Sequence, residues 1–494
     1  MNRLISRSTS IFRSWGSQLT ILAVVLLSLF PLFGHLDSQP LRLWDESRLA
    51  HNAAEMYNSE SYLVVQFQGK QKHWSTKPPL MIWLQCLSYK VVGVNEMGVR
   101  LPSAFAGLML IMCMVWFLIK MRLSPAWAIV AMILLLSIRG FNGEHGIRYG
   151  EYDGLLALFV LIQLTGFTFW LIHPSEPDAK FRWLFYLGMV GAVWTKGIAG
   201  LLLAPVYLFW MIRMLGWREL VKLIPEWCVI SILLFGYYPI RELLDPGYLK
   251  AVWNNEISQR FTGNLENHRE EWTYYFHEFH HQTSGSWIIM LLIITLGIYY
   301  SNSPLRRVLI FLSSAALILF VILNLASTKI YWYLLPIYPI LVLTTVLVVS
   351  RGLQTVTSTK RKVVKWGVYV LIGAVSSVLY GRLIISTSHI TAHVPGDHGF
   401  YEVTNFIRSQ LGSKDTLHWT FIDTDYSGHN WWYIDRLNEK ACDMGYDIHL
   451  DSVEKGDILL LRQKEIRDSV KVMYHTQNVF NHTDYSLIKL YDLR

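Results

Sequence analysis

The chain has 494 residues, of which 52% are hydrophobic and only 16% charged, with a mean hydropathy of +0.30. Soluble domains carry about a quarter charged residues, which argues against an ordinary cytosolic enzyme, and so apolar a chain cannot stay solvated as a disordered one. The formal net charge of +8 raises nucleic acid as a partner, but Lys and Arg sit in short clusters between apolar runs, the pattern of cytoplasmic loops, so no nucleic-acid binding is expected.

Arg3, Arg7 and Arg13 precede an apolar run that starts near Leu19. No small-residue cleavage site follows, and Pro31 and His35 continue into a polar loop, so this run reads as an uncleaved first span. A spanning helix needs about 20 mostly apolar residues. Candidate spans are 17–36, 99–119, 124–141, 154–172, 183–195, 197–212, 223–240, 285–301, 308–326, 331–350 and 364–386, about eleven in all, the pair around Lys196 being short.

The run 79–93 is shorter and carries Gln85, Ser88 and Lys90. If it lies flat in the interface, the clusters Lys120/Arg122, Lys180/Arg182, Arg213/Arg218/Lys222, Arg306/Arg307 and Arg351 to Lys365 fall on the side of the N-terminal arginines. If it spans, they move to the opposite side and the positive-inside rule fails. It is therefore read as an interfacial amphipathic helix, with the N-terminus in the cytoplasm and the C-terminal tail outside a cell inner membrane. Cys86, Cys113 and Cys228 lie in apolar stretches and Cys442 stands alone in the tail, a spacing that builds neither a disulfide framework nor a metal site.

The outer segments are then 37–98, 142–153, the turn at Lys196, 241–284, 327–330 and the tail, and they hold nearly all the unusual polar residues. One concentrated polar face on a membrane bundle points to a functional site. A transporter would place ionisable groups near the midplane in two related halves; here mid-span positions are nearly free of charge and no internal repeat is visible.

In chain order, Asp45 and Glu46 stand beside Arg48. Paired carboxylates next to a cation can keep one acid ionised as a base; alternatively Asp45 caps a loop helix over about 46–57. Lys77 precedes Pro78 and Pro79, which fix an extended turn and aim an ammonium that suits a phosphate, or one that merely snorkels. Asp153 opens a span after Arg148, where a helix dipole would favour it, yet acid-plus-Arg recurs in two separate loops. Arg260 suits planar phosphate recognition, while His268 is a donor, a ligand or a loop residue. The aromatics after it read as a headgroup-level belt. His277, His280 and His281 look like a metal tract, but Glu278 is the only carboxylate near them at helical spacing, and no metal site is assigned. Lys329 and Tyr333 are four apart and share a face if that turn is helical.

Taken together these pieces resemble the GT-C membrane glycosyltransferases, in particular the branch of protein O-mannosyltransferases and the lipid A aminoarabinose transferase. The matching residues are Asp45-Glu46-x-Arg48, Lys77-Pro78-Pro79-Leu80, Arg100-Leu101-Pro102-Ser103-Ala104, Arg148 with Asp153, Thr195-Lys196-Gly197, Arg260-Phe261, His268 before Trp272-Thr273-Tyr274-Tyr275, and Lys329 with Tyr333-Leu334-Leu335-Pro336. They occur in family order over residues 40–340.

The resemblance implies an inverting transfer of a sugar from a polyprenyl-phosphate carrier to a lipid, protein or polysaccharide acceptor on the outer face. Asp45 would be the general base that takes the acceptor proton, with Asp153 nearby positioning acceptor or donor and Glu46 the third catalytic residue. Arg48, Lys77, Arg260, His268, Lys329 and Tyr333 would hold the donor phosphate. A monophosphate leaving group needs no obligatory metal, and no cofactor is implied. Two positions depart from the family pattern: Thr76 stands where members often have Glu before Lys-Pro-Pro, and Ile257 where some carry His. The rival readings are a lipid or glycan transporter and a glycan ligase using a polyprenyl-pyrophosphate donor.

The expected fold is mainly α: a polytopic GT-C domain over 1–388 and a small C-terminal α/β or α+β soluble domain over 389–494. In the latter, runs such as 457–461 and 486–490 read as strands and 399–411 as a helix. That tail carries no catalytic signature.

Overall fold

The computed structural model describes residues 15–71, 73, 75–172, 179–259, 270–356, 359–392, 400–412, 418–439, 444–447 and 453–493. Among them, eight helices are long and apolar enough to cross a membrane: Gly16–Phe33, Glu96–Lys120, Tyr152–Ile172, Lys180–Leu201, Ile224–Leu244, Ser303–Leu325, Tyr331–Thr355 and Lys362–Ser388. Helices Tyr274–Gln282 and Ser286–Tyr300, bent by 96° at their break, make a ninth if counted as one span. Gly285 sits at that break with φ 75°, a backbone region open to glycine at little cost.

The sequence runs 124–141 and 197–212 differ from expectation. They yield helices Ala126–Leu136 and Ala204–Leu215, of 11 and 12 residues. At about 1.5 Å per residue these fall well short of a hydrocarbon core about 30 Å thick. A count of about eleven is reached only if both are added to the nine. The break at Lys196 is not a turn between two spans: Gly197, at φ 59°, starts a 3-10 turn, Gly197–Leu201, that folds back into the bundle. The run 79–93 forms the 13-residue helix Leu80–Val92. Large apolar side chains such as Leu187, Ile232, Leu292 and Val370 are exposed around the bundle, as a lipid-facing surface requires.

Helices Tyr152–Ile172 and Ala179–Lys196 form the tightest helix pair. A Cβ on Gly166 would meet the Phe185 nitrogen at 2.5 Å, and one on Gly188 the Gln163 nitrogen at 2.5 Å, so small residues let the two backbones touch. Being antiparallel, they bring the start of one, Asp153, beside the end of the other, Lys196.

Among the described residues the C-terminal unit holds a five-stranded sheet of β1 (Thr420–Ile422), β2 (Gly445–Asp447), β3 (Ile458–Leu461), β4 (Tyr474–Asn481) and β5 (Ser486–Leu493), in the order β2-β1-β3-β5-β4. β1 pairs parallel with β2 and β3, and β5 antiparallel with β3 and β4. Side chains alternate across a sheet: Ile422, Leu459, Leu461, Ile488 and Leu490 pack with Ile466 and Val470 of helix Lys464–Met473. Phe421, Leu460 and Leu487 face the other way and join the main core. The expected strands and the helix, here Glu402–Gln410, are all present.

This unit closes over the first loop of the membrane region. Tyr433 Oη accepts from the Leu41 N–H (3.1 Å) and donates to Glu96 (2.8 Å). Arg408 pairs with Glu96 at 2.6 Å and donates to the Ser38 carbonyl at 2.8 Å. His51 Nε2 lies 2.8 Å from the Gly428 carbonyl.

Candidate functional site

The first loop is built around Glu46. Its carboxylate is fully buried and takes two hydrogen bonds from Arg100, at 2.7 and 2.8 Å, and one each from the Gly150 N–H (2.9 Å) and the Arg42 N–H (2.8 Å). Arg100 spends its remaining donors on the carbonyls of Leu36, Gln39 and Pro40. Burial pushes the Glu46 carboxyl up, but the Arg100 charge and these hydrogen bonds outweigh it and hold it below its ordinary value. Both oxygens are occupied, which leaves Glu46 no free position toward a substrate.

Asp45 is arranged differently. It is half-buried, is the first residue of helix Asp45–Ser59, and follows Trp44, whose φ is 70°. The residue before the helix is thus Trp44 with no side-chain cap, so Asp45 is not the capping residue that its position suggested. Its carboxylate makes no hydrogen bond or ion pair with any described residue. Arg48 lies over the rings of Trp44 (5.8 Å) and Tyr426 (5.4 Å), at the seam with the C-terminal unit.

The second centre is Asp153. Lys196 Nζ donates to both of its oxygens, at 2.6 and 2.7 Å, with both side chains almost wholly buried. The same ammonium lies 4.2 Å from the centre of the Tyr333 ring, a cation–π contact. Asp153, Lys196, Tyr333, Thr328 and Glu256 form the polar end of a cleft of about 900 Å³, counting its open mouth, whose other walls are apolar, among them Leu156, Leu202 and Leu323.

Glu256 connects this cleft to Lys77. Lys77 Nζ is 3.3 Å from a Glu256 oxygen that also accepts the Thr76 hydroxyl at 2.5 Å, and Lys77 stands over the Tyr152 ring at 5.3 Å. Glu256 thus brings a carboxylate from a distant segment to Thr76 and Lys77. Lys329 is buried and donates to the carbonyls of Glu270 (3.1 Å) and Ala326 (3.0 Å). The backbone from Lys329 to Tyr333 is not a regular helix: a 3-10 turn starts only at Tyr331, so the shared helical face does not form, although Tyr333 still lines the cleft. Arg148 does not pair with Asp153; it donates to the Pro31 and Gly34 carbonyls at the end of the first span. Arg260 and His268 lie outside the described residues.

Beside Asp45, His145 Nδ1 sits 2.8 and 3.0 Å from the Glu151 oxygens, and its ring stacks on Trp332 at 3.8 Å. Burial pushes His145 down, but Glu151, Glu144 and Asp45 outweigh it and bring it up to about 9. Burial, with Asp45 and Glu46, pushes Glu151 up despite His145. This pair joins the loop that leads into Asp153 to the turn that carries Tyr333.

Lys196 and Glu256 were not singled out as site residues from sequence. Lys196 had a signal, since an ammonium ending an otherwise apolar run needs a partner; Glu256 had none beyond lying in an outer segment. Among the described residues no group of three or more His, Cys, Asp or Glu side chains is placed to hold a metal ion.

A family profile described as dolichyl-phosphate-mannose-protein mannosyltransferase matches residues 76–240. Two curated relatives are named undecaprenyl phosphate-alpha-4-amino-4-deoxy-L-arabinose arabinosyl transferase. That of Pseudomonas savastanoi pv. phaseolicola is 26% identical over 265 residues, 52% of this chain and 47% of its own length. That of Pseudomonas fluorescens is 28% identical over 281 residues, 54% and 45%. The chain thus spans about half the length of the curated relatives it matches. The crystal structure of ArnT from Cupriavidus metallidurans bound to undecaprenyl phosphate shares the fold with a TM-score of 0.71, covering 95% of this chain and 97% of that one at 15% identity. The cleft, its ordered motifs and these likenesses converge on the fold: the chain carries several helices of membrane-spanning length and shares the architecture of that ArnT structure, and part of it is similar in sequence to protein O-mannosyltransferases and aminoarabinose transferases.

Proposed function

We propose that this chain is an inverting glycosyltransferase that moves a sugar from a polyprenyl-phosphate donor to an acceptor at the outer face of a cell inner membrane. The observation that carries this reading is the cleft itself: an apolar channel that ends in Asp153, Lys196, Tyr333 and Glu256, with Lys77 at its edge. Such a shape accepts a lipid tail along its walls and a charged head at its end. The names of the relatives support an undecaprenyl-phosphate-linked amino sugar as the donor class.

In this reading Asp45 takes the proton of the acceptor hydroxyl, whose oxygen attacks the anomeric carbon as the bond to the phosphate oxygen breaks. Lys77, Arg48, Arg260, His268, Lys329 and Tyr333 hold the phosphate, and their charges and hydrogen bonds offset the charge that builds on it as it leaves. Lys196 holds Asp153 in place at the polar end of the cleft. Glu46 positions the loop and moves no proton. The membrane keeps donor and site in register, which lowers the entropic cost of their meeting.

The orientation belongs to the same proposal. Cation clusters such as Lys120/Arg122 and Arg306/Arg307 lie at the end of the bundle opposite Asp153, which supports a cytoplasmic N-terminus and an outer C-terminal unit, 389–494, on a membrane domain of 1–388. The test is a proteoliposome assay with undecaprenyl-phosphate-linked 4-amino-4-deoxyarabinose and a cell-envelope lipid extract. The expected result is undecaprenyl phosphate release with a matching mass gain in an acceptor. Donor movement across the bilayer without a new glycosidic bond would mean a transporter, and turnover restricted to pyrophosphate-linked donors would mean a ligase.

A further inference from the structure

At the seam between the first loop and the C-terminal unit lies a second cavity, of about 480 Å³ counting its open mouth, with Arg48, Asn52, Gln66, Phe67, Ser75 and Tyr426 in its walls. It shares no lining residue with the cleft at Asp153, yet it borders the chemistry on two sides. Asp45, Arg48 and Asn52 stand at i, i+3 and i+7 of helix Asp45–Ser59, a spacing that puts all three on one helix face. Ser75 is next to Thr76, whose hydroxyl donates to Glu256 in the wall of the cleft.

The walls are held in place. Strands Gln66–Phe67 and Lys70–Gln71 pair antiparallel, and Glu55 of the helix ties down the turn between them by accepting the N–H groups of Gln68 and, at 3.1 Å, Gly69. Tyr426 stacks on Trp44 at 4.9 Å and packs edge-on to Trp431 at 5.2 Å. Burial pushes the Tyr426 hydroxyl up, Arg48 and Ser47 oppose that, and the Asp45 charge adds to the rise, so Asp45 is within electrostatic reach of this wall.

The cavity offers a ligand hydrogen-bonding groups. Asn52 is 2% exposed. Its Nδ2 donates to the Ser75 hydroxyl at 3.4 Å, while its Oδ1 accepts from no described residue and keeps surface open to the cavity. Gln66 is half-buried, and its side-chain amide makes no hydrogen bond with a described residue. An amide both donates and accepts, and a buried acceptor left without a donor is unfavourable. The fitting occupant therefore carries several groups that donate and accept, beside an apolar face for Phe67. A sugar ring has that pattern, with hydroxyls at its edge and C–H bonds on its faces. A peptide serine or threonine brings one hydroxyl, which Asp45 claims.

Building on the glycosyl-transfer reading above, we infer that this cavity is the acceptor subsite and takes a sugar residue of the acceptor, with its hydroxyls on Asn52, Gln66 and Ser75 and its ring against Phe67. A further hydroxyl of the acceptor glycan faces Asp45. It gives its proton to Asp45, and its oxygen joins the anomeric carbon of the donor as the bond to the carrier phosphate breaks. Arg48, between Asp45 and Asn52 on the helix face, forms the wall between acceptor and donor phosphate.

The test is the proteoliposome assay with undecaprenyl-phosphate-linked 4-amino-4-deoxyarabinose and a total cell-envelope fraction, which offers glycolipid, phospholipid and protein hydroxyls together. Tandem mass spectrometry of the product is expected to place the added sugar on a hydroxyl of a sugar residue. With the envelope fraction varied, Asn52→Leu and Gln66→Leu should each lower the acceptor kcat/KM about tenfold, with the donor KM close to wild type. Gln66 is only half-buried, so its variant keeps the test open if Asn52→Leu fails to fold. Product carrying the sugar on a serine, threonine or glycerol hydroxyl, or an unchanged acceptor kcat/KM in folded Gln66→Leu, overturns the inference and leaves glycosyl transfer standing. A wild type that releases no undecaprenyl phosphate overturns the transfer reading itself, and the acceptor subsite with it.

Discussion

Lys196, at the end of one membrane helix, places its ammonium 2.6 and 2.7 Å from the two oxygens of Asp153 at the start of its antiparallel neighbour. Breaking a buried pair from one side leaves an uncompensated charge, which costs about 3–5 kcal/mol. Lys196→Met is therefore expected to lower the thermal unfolding midpoint in detergent sharply, and Lys196→Met with Asp153→Asn to recover most of the loss. A double variant no more stable than the single one would show that the pair's charges do not compensate each other.

The Glu46–Arg100 pair gives a second expectation. Arg100→Gln strands Glu46 and frees the Leu36, Gln39 and Pro40 carbonyls, so a destabilisation of about 3–5 kcal/mol should come with faster proteolysis around residues 36–40. Glu46→Gln should be milder, and any activity it loses should follow the loss of folded protein. Turnover abolished in fully folded Glu46→Gln would place that carboxylate in the chemistry.

His145 sets a pH dependence. Its folded value is raised from 6.5 to about 9, so the stability it contributes is fully present below about 6.5 and is lost as pH rises through 9. Glu151 is raised as well, so its contribution also falls with rising pH. Thermal midpoints measured between pH 6 and 9.5 should decline by the equivalent of about 2 kcal/mol, and His145→Gln should flatten that decline. A wild-type profile that rises over this range contradicts the assignment.

Glu256 ties Lys77 to the cleft. With Glu256→Ala, Lys77 and Thr76 lose a shared carboxylate, and the donor KM should rise about tenfold, as for the loss of about 1.4 kcal/mol of positioning. Steady-state kinetics with varied donor check this; an unchanged KM would mean that Lys77 is held by the Pro78-Pro79 turn alone.

The membrane architecture was legible because long apolar runs and the placement of cations report it directly. The short helices Ala126–Leu136 and Ala204–Leu215 were not, since hydropathy registers apolar content but not where a chain such as 197–201 folds back. Lys77 and Tyr333 stand in the ordered set of motifs, and the structure brings both to the cleft, Tyr333 in its wall and Lys77 through Glu256. Glu256 was hidden because its meaning lies in meeting Thr76 and Lys77, 180 residues earlier by the Thr76 bond, and no local spacing encodes that. The difference between Asp45 and Glu46 was likewise hidden: adjacent in sequence, one is enclosed by Arg100 and two backbone N–H groups, and the other is left half-exposed by the turn at Trp44.

That difference leads to the most direct test. Asp45→Asn keeps shape and removes the proton acceptor. In the proteoliposome assay its kcat should fall by about 10²- to 10⁴-fold, with the thermal midpoint and donor binding close to wild type. A folded Asp45→Asn protein that transfers sugar within about twofold of the wild-type rate, against the loss expected for removing a general base, would contradict the account.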